Sequence, residues 1–472
     1  MNRKNKYTTL VSNTFLISIG TFGSKLLTFF MVRFYTEVLT PSDYGTADLI
    51  MQGANLLFPV ISMGIVEGVF RFALGNPKKR RNIFSAGVWV ITGGSAVLAA
   101  VTGLTWSVDL FDDVLWLMAI YTIASCYHSL CAQFIRAQGK MALYAGQGIL
   151  NTVLVIGLNI LFLLVFKWGI IGYVLSTAVA DILCSSFLVF KEKLWQYLTV
   201  KPGKGLLAHM LRYSVPLIPT TIFWWITSVS DRYMITAFLG SDANGIYAVA
   251  AKIPTLLTLM ATIFLEAWQF SAIAESAGER KEHIRFYSKI WKIFMSAMFL
   301  AGGVVIALSQ WEIRVLSADE YYSAWQYIPL LSAAMIFSSF VTFAGSIYVV
   351  EKKSLLSFGT SMAGAAVNIL LNLILIPTEL GIQGAVMATF SSYFLVFLIR
   401  SKNARKLLPF RLYSQRLTVN CMIMAIQIIW LVGELPGWQL VQLIAVGAFL
   451  AIDGKYLVSI FSSLKSMYKG NR

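Results

Sequence analysis

Cationic side chains lie inside long apolar stretches of this sequence. Lys25 and Lys252 fall near the middle of their stretches, and Arg33 and Arg232 fall towards one end of theirs. A cation inside a bilayer costs about 2.5–3.5 kcal/mol unless it is solvated or paired. These groups could bind an anion such as a phosphate through charge-assisted hydrogen bonds. The two arginines could instead extend to the membrane surface and anchor their helices.

Acidic side chains in the same stretches are candidates for coupling or gating. Asp181 lies well inside its stretch, Asp48 lies nearer one end, and Glu67 and Glu266 lie near the opposite ends of theirs. A carboxylate could carry a proton or compete with the substrate for a cation such as sodium. Asp181 could equally be an internal salt-bridge partner. The sequence predicts no other cofactor, no catalytic set and no metal centre, because its Cys and His residues lack metal-ligand spacing.

Polar residues also recur at helical spacing. Asp48, Gln52 and Asn55 are three to four residues apart, which places them on one face of a helix. The first, seventh and eighth apolar stretches carry similar stripes. A polar face is costly in lipid, so these stripes predict either a hydrated cavity or a helix interface. Ser and Thr alone favour helix packing, and the charged members favour a cavity.

The composition requires a membrane to position these residues. The 472 residues are 57% hydrophobic and 13% charged, with a mean hydropathy of +0.71. Soluble domains are about 45–50% apolar and about 25% charged. Apolar runs of about 20 residues span a bilayer as helices, which satisfy their own backbone hydrogen bonds. The sequence therefore predicts an all-α polytopic membrane protein of fourteen transmembrane helices.

The charge distribution predicts the orientation of these helices. The net charge of +16 comes from Lys and Arg residues that cluster in alternate short loops between the apolar runs. This pattern excludes nucleic acid as the reason for the charge, and the positive-inside rule places the basic loops in the cytoplasm. Both termini are then cytoplasmic, which requires an even number of helices.

An internal repeat divides the chain. The two halves share polar residues in one register: Arg33, Ser42, Asp43 and Glu67 recur as Arg232, Ser241, Asp242 and Glu266. Six helices in each half give a parallel repeat, an arrangement in which transporters place the substrate site between the lobes. We predict an N-terminal lobe at 1–205, a C-terminal lobe at 206–405 and two further helices at 406–472.

Short motifs resemble a known superfamily. The segment from Gly20 to Ala47, with Leu39-Thr40-Pro41 and Asp43-Tyr44-Gly45, resembles the start of polysaccharide repeat-unit translocases. These proteins belong to the multidrug/oligosaccharidyl-lipid/polysaccharide exporter superfamily. The segment Val66-Glu67-Gly68-Val69-Phe70 is similar to a stretch in the second helix of lipid II flippases. The resemblance implies a MATE-like fold, alternating access, and a cavity formed by helices 1, 2, 7 and 8.

The resemblance also implies a function. By position, Lys25 matches a basic site that is usually Arg in lipid II flippases, and Glu67 matches the glutamate of the second helix. The expected activity is movement of a polyprenyl-pyrophosphate-linked oligosaccharide from the cytoplasmic to the outer leaflet of a bacterial inner membrane. Expected partners are this lipid-linked substrate, membrane lipids, glycosyltransferases and a polysaccharide polymerase.

Two alternatives remain open at this point. A cation-coupled multidrug antiporter of the same fold would prefer a cavity dominated by carboxylates, whereas the charges inside these stretches are mixed. A membrane-embedded enzyme would need large outer loops that carry catalytic groups, and the longest predicted outer loop is short and has no His. The sequence also has no Gly-rich phosphate-binding loop of an ATPase.

Overall fold

The computed structural model describes residues 23, 27–106, 114–200, 203–275, 280–351 and 353–469, and these form helices joined by short turns, without strands. The helices of the first half are α1 (27–38), α2 (Pro41–Ile61), α3 (Ile65–Gly75), α4 (Arg80–Trp106), α5 (Val114–Ala137), α6 (Met141–Ile160), α7 (Gly169–Glu192) and α8 (Lys204–Ser214). Those of the second half are α9 (Ile218–Leu239), α10 (Ser241–Lys252), α11 (Thr255–Glu275), α12 (Arg280–Leu316), α13 (Ile328–Val350), α14 (Ser354–Leu375), α15 (Ile382–Leu407), α16 (Ser414–Val432) and α17 (Trp438–Lys469). The all-α polytopic fold predicted from composition is confirmed.

The described helices follow the predicted apolar stretches. They form ten spans that are long and apolar enough to cross a bilayer, one of which, Ser241–Leu265, combines α10 with part of α11. The number is eleven if the bent pair α2 and α3 counts as one span. The sequence in α9 is interrupted by Asp231 and Arg232, which lowers its mean hydropathy. The apolar part of α17, Trp438–Gly454, is shorter than the other spans.

The chain forms two compact units, Met1–Val229 and Ser230–Arg472. The core of the first unit is aliphatic, with Val69, Leu130 and Ile135 fully buried. The core of the second unit is aromatic, and Trp291 and Phe340 are buried there with ring centroids 4.9 Å apart. The division at 205 and 405 predicted from the repeat stays a prediction.

Prolines interrupt three of the predicted spans. The second span breaks after Pro59, where α2 and α3 meet at 54°. The seventh breaks at a short 3₁₀ turn that contains Pro216, and the eighth breaks between α10 and α11 at Pro254. Proline cannot donate the helical hydrogen bond and clashes with the preceding turn, so breaks at these positions follow from the sequence.

Arg400 is a buried cation of the second unit, although the sequence predicts Lys and Arg residues in short loops between the apolar runs. It lies in α15, and its guanidinium is buried. It donates to the hydroxyls of Thr360 and Ser361 at 2.9 and 2.8 Å, and to the carbonyls of Val341 and Ser357 at 3.2 Å each. These neutral oxygens satisfy a cation that joins α13, α14 and α15.

Candidate functional site

A buried polar cluster lies in the first unit, where α5, α6 and α7 meet. Asp181 Oδ1 is 2.8 Å from His128 Nδ1 and accepts from Asn151 Nδ2 at 2.8 Å. The other ring nitrogen of His128 is 2.7 Å from Gln147 Oε1, which also accepts from the Cys184 thiol at 3.3 Å. With both ring nitrogens facing acceptor oxygens, the geometry suits an imidazolium paired with a carboxylate. The structure thus gives Asp181 the internal partner considered for it.

The second unit contains another buried polar cluster, which we call the Asp231 cluster. It consists of Asp231 on α9, Tyr247 on α10, Asn368 and Asn372 on α14, and Thr389 on α15. Asp231 accepts from Asn372 Nδ2 at 2.8 Å, from the Tyr247 hydroxyl at 2.9 Å and from the Thr389 hydroxyl. All five side chains are buried. Three neutral donors therefore satisfy one carboxylate.

The Asp231 cluster has the chemistry of a site for a hard monovalent cation. Asn372 Oδ1 is buried and has no hydrogen-bond partner among the described residues. Asn368 Oδ1 lies beside it and accepts from Asn372 Nδ2 at 3.1 Å. Carboxylate, amide and hydroxyl oxygens are the ligands that hard cations prefer. Asp231, Asn368, Asn372 and Thr389 could therefore hold a sodium ion.

The predicted residues of the second span lie in different environments. Asp48 is buried and close enough to Tyr173 to act on it electrostatically. Gln52 is half-buried, and its backbone carbonyl accepts from Trp225 Nε1 at 2.9 Å. Asn55 is exposed. Glu67 is also exposed, in the first turn of α3 beyond the bend.

Three of the four cations predicted to bind the substrate, Arg33, Arg232 and Lys252, lie among the described residues. Arg33 Nε donates to Glu37 Oε1 at 2.6 Å, and the Arg33 side chain is 41% exposed. The Arg232 guanidinium lies 5.9 Å from the centroid of the Tyr247 ring. Lys252 is half-buried in the last turn of α10. Lys25 and the side chain of Glu266 lie outside the described residues.

Sequence reasoning missed most of the two buried clusters. The sequence identified Asp181 as a candidate, but it did not identify His128, Asp231, Asn368 or Asn372. A usable signal was present, because Asn368 and Asn372 are four residues apart in an apolar helix and therefore share one face. Nothing in the linear spacing links them to Asp231, which lies more than a hundred residues earlier.

Comparisons with known proteins agree with this architecture. A family model described as "Polysaccharide biosynthesis protein" matches residues 10–270. No curated protein matches the sequence.

Solved structures of transporters share the fold. The lipid II flippase MurJ, in an inward closed conformation, has a TM-score of 0.71 at 14% identity, covering 94% of this chain and 100% of that one. An inward-facing multidrug resistance transporter of the MATE family, from the MOP superfamily, has a TM-score of 0.64 at 14% identity, covering 81% and 95%. A mutant of the Vibrio cholerae MATE transporter VcmN has a TM-score of 0.56 at 15% identity, covering 84% and 97%. At these identities the likeness shows the fold, and it confirms the MATE-like architecture predicted above.

Proposed function

Because the chain belongs to the polysaccharide biosynthesis protein family, we propose that it moves a polyprenyl-pyrophosphate-linked oligosaccharide from the cytoplasmic to the outer leaflet. The observation that carries this proposal is the family match over residues 10–270. The multi-pass fold, shared with a lipid II flippase, supports a transporter rather than an enzyme. The polyprenyl tail stays in the bilayer while the polar head crosses by alternating access.

The side chains that would receive the polar head are the predicted cations and amides. Lys25, Arg33, Arg232 and Lys252 would offer positive charge to the pyrophosphate. Gln52 and Asn55 would donate to and accept from sugar hydroxyls. The exposure of Arg33 and Asn55 supports this role, because neither side chain is buried in the packing of its own unit.

The Asp231 cluster would hold the coupling ion. A bound sodium ion would supply positive charge to the buried carboxylate, and Asn368, Asn372 and Thr389 would complete its oxygen ligands. The chain's own contribution is to present these oxygens from α9, α14 and α15. Asp48, Glu67, Asp181 and Glu266 stay candidates for a proton-coupling or gating role.

The proposal includes a cellular setting. The protein would lie in the cytoplasmic membrane of a bacterium with both termini in the cytoplasm, and the predicted lobes 1–205 and 206–405 would form the transport unit. Glycosyltransferases would supply its substrate and a polysaccharide polymerase would use its product.

A cation-coupled multidrug antiporter is the second candidate, and the likeness to MATE transporters favours it. An organic cation would need an available carboxylate. Asp231 is buried and Asp181 pairs with His128, so neither carboxylate is open to a large organic cation. These contacts support the lipid-linked substrate over a drug cation.

Deletion of the gene tests the proposal in cells. We expect lipid-linked oligosaccharide to accumulate in the cytoplasmic leaflet, and the wild-type gene to restore its appearance in the outer leaflet. Lys25→Ala should fail to restore transport although the protein reaches the membrane, whereas Lys78→Ala, in an exposed turn, should restore it. An unchanged leaflet distribution in the deletion strain would contradict the proposal.

A further inference from the structure

A cavity of about 610 Å³ lies in the second unit, beside the N-terminal part of α12. Four of its lining residues are cations on α12, and Arg411 faces them from the segment before α16; the α12 cations are Lys281, Arg285, Lys289 and Lys292. Their spacing of four, four and three residues puts them on one face of the helix. None of the described residues that line this cavity, called here the basic pocket, is acidic.

The basic pocket lies at the level of the lipid headgroups. Helix α12 has 37 residues, which gives a length of about 55 Å against a hydrocarbon thickness of about 30 Å. The four α12 cations of the basic pocket are all in the first 13 residues of the helix, and the following segment from Ile293 to Trp311 contains no charged residue. The N-terminal part of α12 therefore extends out of the hydrocarbon, on the side that the positive-inside rule assigns to the cytoplasm.

The cations of the basic pocket repel one another. Lys281 and Arg285, and then Arg285 and Lys289, are like-charge pairs at a spacing of four, which destabilise a helix. Anchoring of α12 at the membrane surface would not require five cations around one cavity. A bound anion removes this repulsion, and the Arg285 and Arg411 guanidiniums suit the oxygens of a phosphate.

The inner end of the basic pocket is aromatic. The Lys292 ammonium lies 3.8 Å from the centroid of the Tyr456 ring and 5.0 Å from that of Tyr413. Ile284 and Ile293 add aliphatic surface to the lining. The lining therefore combines cations with aromatic and aliphatic groups, a combination that matches a ligand with a phosphate head and an apolar body.

The walls of the basic pocket are fixed to one another. Asp453 on α17 accepts from Ser296 on α12 at 2.7 Å and from Asn420 on α16 at 2.9 Å, and it forms an ion pair with Arg416. Three helices are thus joined just behind Tyr456. A preorganised wall lowers the entropic cost of binding a ligand.

We propose that the basic pocket binds the phosphate of an anionic phospholipid from the cytoplasmic leaflet. This site is separate from the residues assigned to the lipid-linked oligosaccharide, so the proposal stands whether or not that substrate assignment holds. The bound lipid would fasten α12, α16 and α17 to one leaflet.

Native mass spectrometry of the purified full-length protein tests this proposal. The probes are phosphatidylglycerol and phosphatidylcholine with the same acyl chains. Arg285→Gln with Lys289→Gln should weaken phosphatidylglycerol binding about thirtyfold, because each basic residue contributes about 1 kcal/mol to attraction for an anionic lipid. Lys78→Gln with Lys79→Gln removes the same charge from another exposed turn and should leave binding unchanged.

Three outcomes would overturn the assignment. The first is equal binding of phosphatidylglycerol and phosphatidylcholine by the wild-type protein. The second is unchanged phosphatidylglycerol binding in the Arg285 and Lys289 double variant with its native fold intact. The third is full displacement of phosphatidylglycerol by millimolar inorganic phosphate, which would identify a site for soluble phosphate. Retention of the lipid in that competition supports a lipid headgroup.

Discussion

Asp231 is the residue whose environment is most informative about coupling. Its carboxylate is buried, and among the described residues its donors are an amide and two hydroxyls rather than a cation. Asn372 Oδ1 is buried beside it without a hydrogen-bond partner among the described residues. A buried ionised carboxylate is costly without a compensating charge. A sodium ion would supply that charge and use the remaining amide oxygen.

Sodium should therefore stabilise the wild-type protein through Asp231. A ligand that binds only the folded state at a hundred times its Kd adds about 2.7 kcal/mol to the free energy of unfolding. We expect sodium to raise the Tm of the wild-type protein, and Asp231→Asn to remove this rise. Thermal unfolding in sodium and in choline chloride, at equal ionic strength, measures the effect.

Asp242→Asn is the matched control for this experiment, because Asp242 is exposed in the first turn of α10. Its sodium-dependent rise in Tm should equal that of the wild-type protein. A rise of the same size in Asp231→Asn would assign the sodium effect to another part of the molecule.

Residue types could be predicted from the sequence, but most residue partners could not. The intramembrane charges Asp181, Arg232 and Lys252 stand out because they interrupt apolar runs. Their partners come from helices far away in the chain, as with His128 on α5 and Asp181 on α7. Tertiary packing determines which residues form these pairs, and spacing along the chain does not predict them.

At the scale of elements, the bend between α2 and α3 depends on one glycine. Gly64 has a φ of +62°, which is unfavourable for residues with a Cβ. A Cβ at Gly64 would lie 2.9 Å from the backbone oxygen of Ser214. The bend therefore requires both the left-handed conformation and the close approach of the chain at the end of α8.

Gly64→Ala should destabilise the protein. Left-handed backbone costs a residue with a Cβ about 1–2 kcal/mol, and the contact with Ser214 adds to this cost because a backbone atom must shift. We expect a lower Tm for this variant in thermal unfolding. Gly75→Ala is the control, since a Cβ there meets nothing within 4 Å, and an equal loss in both variants would contradict the role given to Gly64.

The ends of elements were predicted with uneven success. Prolines mark the breaks near Pro59, Pro216 and Pro254 because they remove a helical hydrogen bond at a fixed position. The sequence predicts basic residues in loops between the apolar runs, but the basic segment 280–292 is helical and forms the start of α12. Lys and Arg are good helix formers, so their charge indicates the level of the membrane surface and not the end of a helix.

At the scale of the whole molecule, the apolar pattern determined most of what could be predicted. Runs of about 20 apolar residues cross lipid as α-helices, and the described helices follow those runs. The family match over residues 10–270 then connects this architecture with polysaccharide biosynthesis. Composition alone cannot identify the substrate, because a lipid II flippase and multidrug transporters share this fold.

Movement of a lipid-linked oligosaccharide by the purified protein can be measured in vesicles. Proteoliposomes would carry a polyprenyl-pyrophosphate-linked oligosaccharide with a fluorescent sugar in both leaflets, and a membrane-impermeant quencher that destroys the fluorophore irreversibly would report the fraction that reaches the outer leaflet. We expect quenching to rise from about half to nearly all of the signal only in vesicles that contain the protein. Quenching that stays at the protein-free level, while a fluorescent organic cation crosses the same vesicles, would contradict it.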